Sequence, residues 1–169
     1  MNYKNDNLDE KALQRRELFG RYGLAMYHAQ CVEKSLAILT SSVFHKEFIK
    51  SSFDAREKIV SKAFSNTLGR LIRILETQVK IPPNLNKNLI EALDKRNWLA
   101  HDYFYDRADD LLTASGKKKM ISELTKLNDF LSDLDADLTS IIDTWSAKVG
   151  ITKEIEKEKN KMIQKIRGN

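Results

Sequence analysis

The chain has 169 residues, with 41% apolar and 31% charged residues and a formal net charge of +5. That length supports one domain with a real hydrophobic core, and no run approaches the ~20 consecutive apolar residues of a membrane-spanning helix. The mild basic excess favours anionic partners, nucleic acid first. The single cysteine, Cys31, cannot form an internal disulfide, which excludes a disulfide-stapled scaffold and fits a reducing compartment. The opening MNYKNDNLDEK has no apolar core of the kind a signal peptide carries, so the expected location is cytoplasmic.

Glycine and proline are scarce, and apolar residues recur in steps of three and four, which predicts an all-α fold. A first helix runs from Asp9 to about Thr40 on a stripe of Leu18, Tyr22, Ala25, Ala29, Val32, Leu36 and Leu39. After the irregular SSVFHKEFIKSS, Asp54 is placed to cap a second helix reaching Val79, with Ile59, Ala63, Leu68, Leu71, Ile72 and Leu75 inward. Pro82-Pro83 ends it, and Asn84 or Asn86 caps a third helix. The polar DRADDLLTASGKKK leads to a fourth, from about Lys117 to Val149, carrying Ile121, Leu124, Leu127, Leu131, Leu134, Leu138, Ile141 and Trp145. Gly150 breaks it, and a highly charged last helix offers only Ile155, Met162, Ile163 and Ile166 for burial. The expected organisation is a flexible N-terminus over residues 1–8, an antiparallel four-helix bundle over 9–149, and a charged C-terminal helix over 150–169.

The third helix carries an anomaly in ALDKRNWLAHDYF. On a wheel of ~100° per residue with Leu89 at zero, Leu85, Leu93, Ala100 and Phe104 define a stripe centred near ~+20°. Arg96 falls inside it at ~−20°, Asn97 at its edge near ~+80°, and His101 just beyond near ~+120°. Burying an unpaired guanidinium costs several kcal/mol, so Arg96 requires a partner or a water-filled cleft. A structural reading pairs it with Glu33 or another acid and has His101 bonding a carbonyl at the helix end.

RNWLAH is an arginine followed by a polar residue, with a histidine five positions after the arginine. In the third main helix of an all-α chain, it resembles the motif of the HEPN superfamily, in its prokaryotic toxin and abortive-infection branch. NTLGRLIRIL (66–75) and VEKSL of the first helix are similar to prokaryotic members too, and the resemblance covers roughly Asp9 to Val149. It implies a HEPN-like bundle that dimerises and acts as a metal-independent endoribonuclease in toxin–antitoxin or antiphage defence. The implied catalytic set is Arg96, Asn97 and His101, in a cleft between two copies, with no cofactor and no metal. The alternative is a non-catalytic HEPN module that binds nucleotide or RNA, or regulates a partner protein; a helical interaction protein with a structural motif is a third reading. Tyr103 extends the match to R-x-x-x-x-H-x-Y, as in HepT-type toxins, where the tyrosine is adenylylated by a partner nucleotidyltransferase. Tyr103, with Asp102 beside it, is therefore a candidate for modification or for support of the site; the plainer role for Tyr103 is a ring half-buried beside Leu99.

The chemistry suits the residue types. Histidine transfers protons near neutrality, and arginine is a permanent forked donor for phosphate oxygens. No other constellation competes. The three histidines show no metal-ligand spacing, and no glycine-rich phosphate loop is present. Cys31 reads as core, His28 and His45 as surface or helix-end residues, and Lys117 to Lys119 as a solvated helix start or a track for an RNA backbone.

Overall fold

The computed structural model describes residues 10–45 and 47–168, without the side chains of Glu158, Lys159 and Met162. The flexible segment expected over residues 1–8 and the burial of Met162 lie outside them. The chain is all-α, and no β-strand occurs among the described residues. In order, the elements are α1 (Glu10–Ile38), a π-helical turn (Leu39–Val43), α2 (Phe53–Ala63), α3 (Leu68–Gln78), α4 (Pro83–His101), α5 (Tyr103–Asp106), α6 (Ala108–Leu112), α7 (Ala114–Val149) and α8 (Thr152–Arg167). No described helix is long and apolar enough to cross a membrane. The chain divides into two compact units, residues 10–33 with 81–135, and residues 34–80 with 136–168.

The first unit holds the motif. Leu18, Ala25, Ala29 and Val32 of α1, Leu89, Ala92 and Leu99 of α4, and Met120, Leu124, Leu127, Leu131 and Leu134 of α7 are buried. Each fully buried leucine contributes about 1.5–3 kcal/mol. Gln14 Nε2 donates to the carbonyl of Ala114 at 3.0 Å, and Asn128 Nδ2 to that of Arg21 at 3.2 Å. Both numbers rise together, so α1 and α7 run in the same direction here, while the tight connection through α5 and α6 sends α4 against α7. Pro83 opens α4 at its first position, where a missing N–H costs nothing, so neither Asn84 nor Asn86 is its cap.

The expected polar connection after α4 is largely helical. Thr113 is extended and its Oγ1 accepts from Gly116 N at 3.0 Å, which caps α7 and starts it at Ala114, before the lysines. Lys117 is therefore not solvated: it is buried and its Nζ donates to Leu111 O at 3.1 Å. Lys119 pairs with Asp110 at 3.1 Å.

In the second unit the helix expected from Asp54 to Val79 is two helices. Ser52, not Asp54, caps α2, its Oγ accepting from Ala55 N at 3.4 Å. The chain breaks where Ser65 Oγ and Asn66 Nδ2 take the last carbonyls of α2, at Lys62 and Ala63, and Thr67 Oγ1 accepts from Arg70 N to start α3. Thr40, Ser41 and Ser42 are buried and bond back to carbonyls of Leu36, Ala37 and Ile38, where α1 passes into the π-helical turn. The charged α8 is tied to α2 by Arg56 and Glu154 at 2.9 Å, although Ile155 and Ile166 remain exposed.

Candidate functional site

The sequence motif occupies the last two turns of α4. Its buried side is set by Leu89, Ala92 and Leu99, which centres the inward stripe near ~−50° on the same wheel rather than near ~+20°. Ala100, expected inward, is exposed, and Leu93 is half-buried. Leu99 continues the buried line of Leu89 and Ala92, and Tyr103, just past the end of α4, is buried as well. Arg96, at ~−20°, lies inside this stripe yet is only half-buried, while Asn97 and His101, at ~+80° and ~+120°, are exposed.

Arg96 is locked to no acid: it takes part in no ion pair among the described residues, and its Nη1 donates to Asn97 Oδ1 at 3.2 Å. The half-buried guanidinium thus bonds the exposed amide beside it. His101 ends α4, and its imidazole has no hydrogen-bond partner among the described residues. Asp102 is exposed and follows as the helix stop, its N–H donating to Trp98 O at 2.9 Å. Along α4, Arg96 and His101 are about 7.5 Å apart in rise and about 140° apart in direction. One helix therefore does not aim both at one atom. Ile90 shares the outward stripe with Asn97 and His101 and is 45% exposed.

Tyr103 is enclosed rather than half-buried. It is 1% exposed, with its ring against Tyr22 (5.7 Å between centroids), Trp98 (4.8 Å) and Phe104 (5.2 Å). Its hydroxyl has no hydrogen-bond partner among the described residues. Burial, and after it the Glu123 carboxylate, push its phenol well above the ordinary tyrosine range. Tyr22 helps seat this corner, its hydroxyl donating to Leu99 O at 2.9 Å, and Phe19 reaches Phe104 at 5.7 Å. Phe19 is itself half exposed, which extends the apolar surface beside the motif onto α1.

A polar network missed by the sequence reading braces this end of α4. Trp98 Nε1 donates to Asp106 Oδ2 at 2.8 Å, and Arg107 clasps Glu123 of α7 through two bonds of 2.9 and 2.6 Å. The Arg107 guanidinium also lies 5.1 Å from the Trp98 ring. The pair is partly buried and bidentate, so it fixes the motif's helix more firmly than a solvent-exposed pair would. No periodicity announces it, because the chain reverses between its members. Among the described residues no group of three His, Cys, Asp or Glu side chains is placed to hold a metal ion. In comparison with known proteins, the chain matches no family model, no curated protein and no solved structure.

Proposed function

We propose that the chain is a metal-independent endoribonuclease of a toxin–antitoxin or antiphage defence type, cutting RNA in a cleft between two copies of itself. The observation that carries this reading is the state of Arg96: half-buried and, among the described residues, bonded only to Asn97 and paired with no carboxylate. An arginine serving a purely structural role at a helix seam is expected to hold an internal acid. Arg96 instead leaves its charge for an anion, on the helix where Asn97 and His101 are exposed. The wide angle between Arg96 and His101 favours a site completed by a second α4, and exposed Ile90 and Phe19 supply apolar surface for that contact.

In such a cleft one His101 takes the proton from the ribose 2′-OH as its oxygen attacks phosphorus. The bond to the 5′-oxygen breaks, and the other His101 protonates that oxygen. The products are a 2′,3′-cyclic phosphate and a 5′-OH end. Both Arg96 guanidinium groups face the charge that builds on the phosphorane, and Asn97 orients phosphate or ribose.

Cleavage of single-stranded RNA in EDTA tests the reading. His101→Ala, folded and dimeric, is expected to lower the rate about 10²–10⁴-fold. Arg96→Ala should do similar damage, and Arg96→Lys should restore little, because an ammonium lacks the fork. Unchanged cleavage by His101→Ala, or loss of wild-type cleavage in EDTA, defeats it. One observation favours the second reading, a module that binds nucleotide or RNA without cutting: no described residue bonds the His101 ring. RNA binding by the wild type without any cleavage would select that reading. Adenylylation of Tyr103 by a partner nucleotidyltransferase would require α5 to leave its seat, since the acceptor hydroxyl is buried. Mass spectrometry after co-expression with such a partner reads it directly.

A further inference from the structure

The second unit contains a cavity of about 480 Å³ between the π-helical turn, α2 and α3. That volume lies in the range of small-ligand sites. Three of its lining side chains, His45, Lys62 and Arg70, are basic and exposed, and no carboxylate among the described residues lines it. None of the three side chains makes an ion pair or a hydrogen bond among the described residues. This contrasts with Arg56, Arg107 and Lys119, which are each paired with an acid. Half-buried Ile59 and Ile74, with the buried Leu71, supply an apolar wall to the lining. The wall is built on α2 and α3, whose separate directions follow from the Ser65–Asn66–Thr67 break; an unbroken helix would place Lys62 and Arg70 on one straight rod.

We infer that this cavity binds a small organic phosphate of mononucleotide size, with Lys62, Arg70 and His45 on the phosphate and the apolar wall against a base or similar ring. The cations explain the anion, because three basic side chains around one open cavity whose described lining holds no carboxylate give it a positive potential. The wall explains the organic part, because inorganic phosphate alone leaves it wet. Arg70 supplies a forked pair of donors and Lys62 a point charge. This site is separate from the α4 motif and stands whether or not that motif cuts RNA.

The test is calorimetric titration of the full chain with AMP, adenosine, inorganic phosphate and a 5′-phosphorylated single-stranded oligonucleotide. AMP is expected to bind, inorganic phosphate to compete with it, and adenosine to bind at least tenfold more weakly. Arg70→Gln with Lys62→Gln, shown folded by circular dichroism, should weaken AMP at least tenfold, while His101→Ala leaves AMP affinity unchanged. Three results overturn the assignment: no AMP binding at millimolar concentration, full affinity in the double variant, or binding of the oligonucleotide but not AMP, which moves the chemistry to an RNA backbone.

Discussion

Tyr103 concentrates the energetics of the motif region in one side chain. Its ring fills an aromatic corner, but its hydroxyl is buried without a partner among the described residues. A buried hydroxyl left unbonded costs about 1–3 kcal/mol. Tyr103→Phe keeps the ring and removes the orphan, so it is expected to stabilise the protein by about 1 kcal/mol, read as a raised urea midpoint. The pH dependence has a definite sign. The phenol is held above its ordinary value of ~10, so the folded chain favours the neutral form. The stability this contributes is complete below pH ~10 and is lost as pH rises further, where the unfolded tyrosine ionises and the folded one resists. The advantage of Tyr103→Phe should therefore widen between pH 9 and pH 11, and an unchanged difference would contradict the burial argument.

The elements around the motif are set by short-range side-chain bonds, and Gly116 shows how tightly. A Cβ there would overlap the backbone of Asp110, so α6 closes on the first turn of α7 only because that position is bare. Glycine to alanine within a helix ordinarily stabilises by about 0.5–1 kcal/mol. Gly116→Ala should instead destabilise by about 1–3 kcal/mol through overpacking, whereas Gly20→Ala, in open space, should follow the ordinary sign. Thermal unfolding of the two variants separates these effects. The same short-range bonds explain what could be read from the sequence. The stripes of α1 and α7 were legible because Leu18, Val32, Leu124, Leu131 and Leu138 repeat at helical spacing, and all are buried. The break between α2 and α3 was hidden because Ala63, Leu68 and Leu75 keep a plausible stripe across it. The signal was present in Ser65, Asn66 and Thr67, three residues that favour caps over helix interiors. The motif residues could be named from sequence, but their setting could not: the Trp98–Asp106 and Arg107–Glu123 bonds around this end of α4 join residues that no local pattern links.

At the scale of the molecule, the proposed cleft turns on assembly through the outward face of α4. Ile90, Asn97 and His101 share that face, and Phe19 lies close to the same helix end through Phe104. A homodimer through this surface is expected in solution by light scattering at micromolar concentration. Ile90→Asp should place a charge at the contact, shift the protein to monomer, and remove RNA cleavage while leaving helicity unchanged. A wild-type monomer that cleaves RNA at full rate would refute the two-histidine site.

The first unit is also discontinuous along the chain, and this has a consequence during synthesis. Tyr22 bonds a residue 77 positions later, and Arg21 one 107 positions later. At about 5–20 residues per second, α1 leaves the ribosome roughly 4–20 s before those partners exist. For that interval Leu18, Ala25 and Val32 have none of the α4 and α7 cover that buries them in the finished protein. A nascent chain stalled near Ile81 should therefore be cut readily by protease within α1, and one stalled with Val149 clear of the exit tunnel should be protected there. The apolar stripe that makes α1 a good core helix thus makes the newborn chain depend on whatever holds it until α7 arrives.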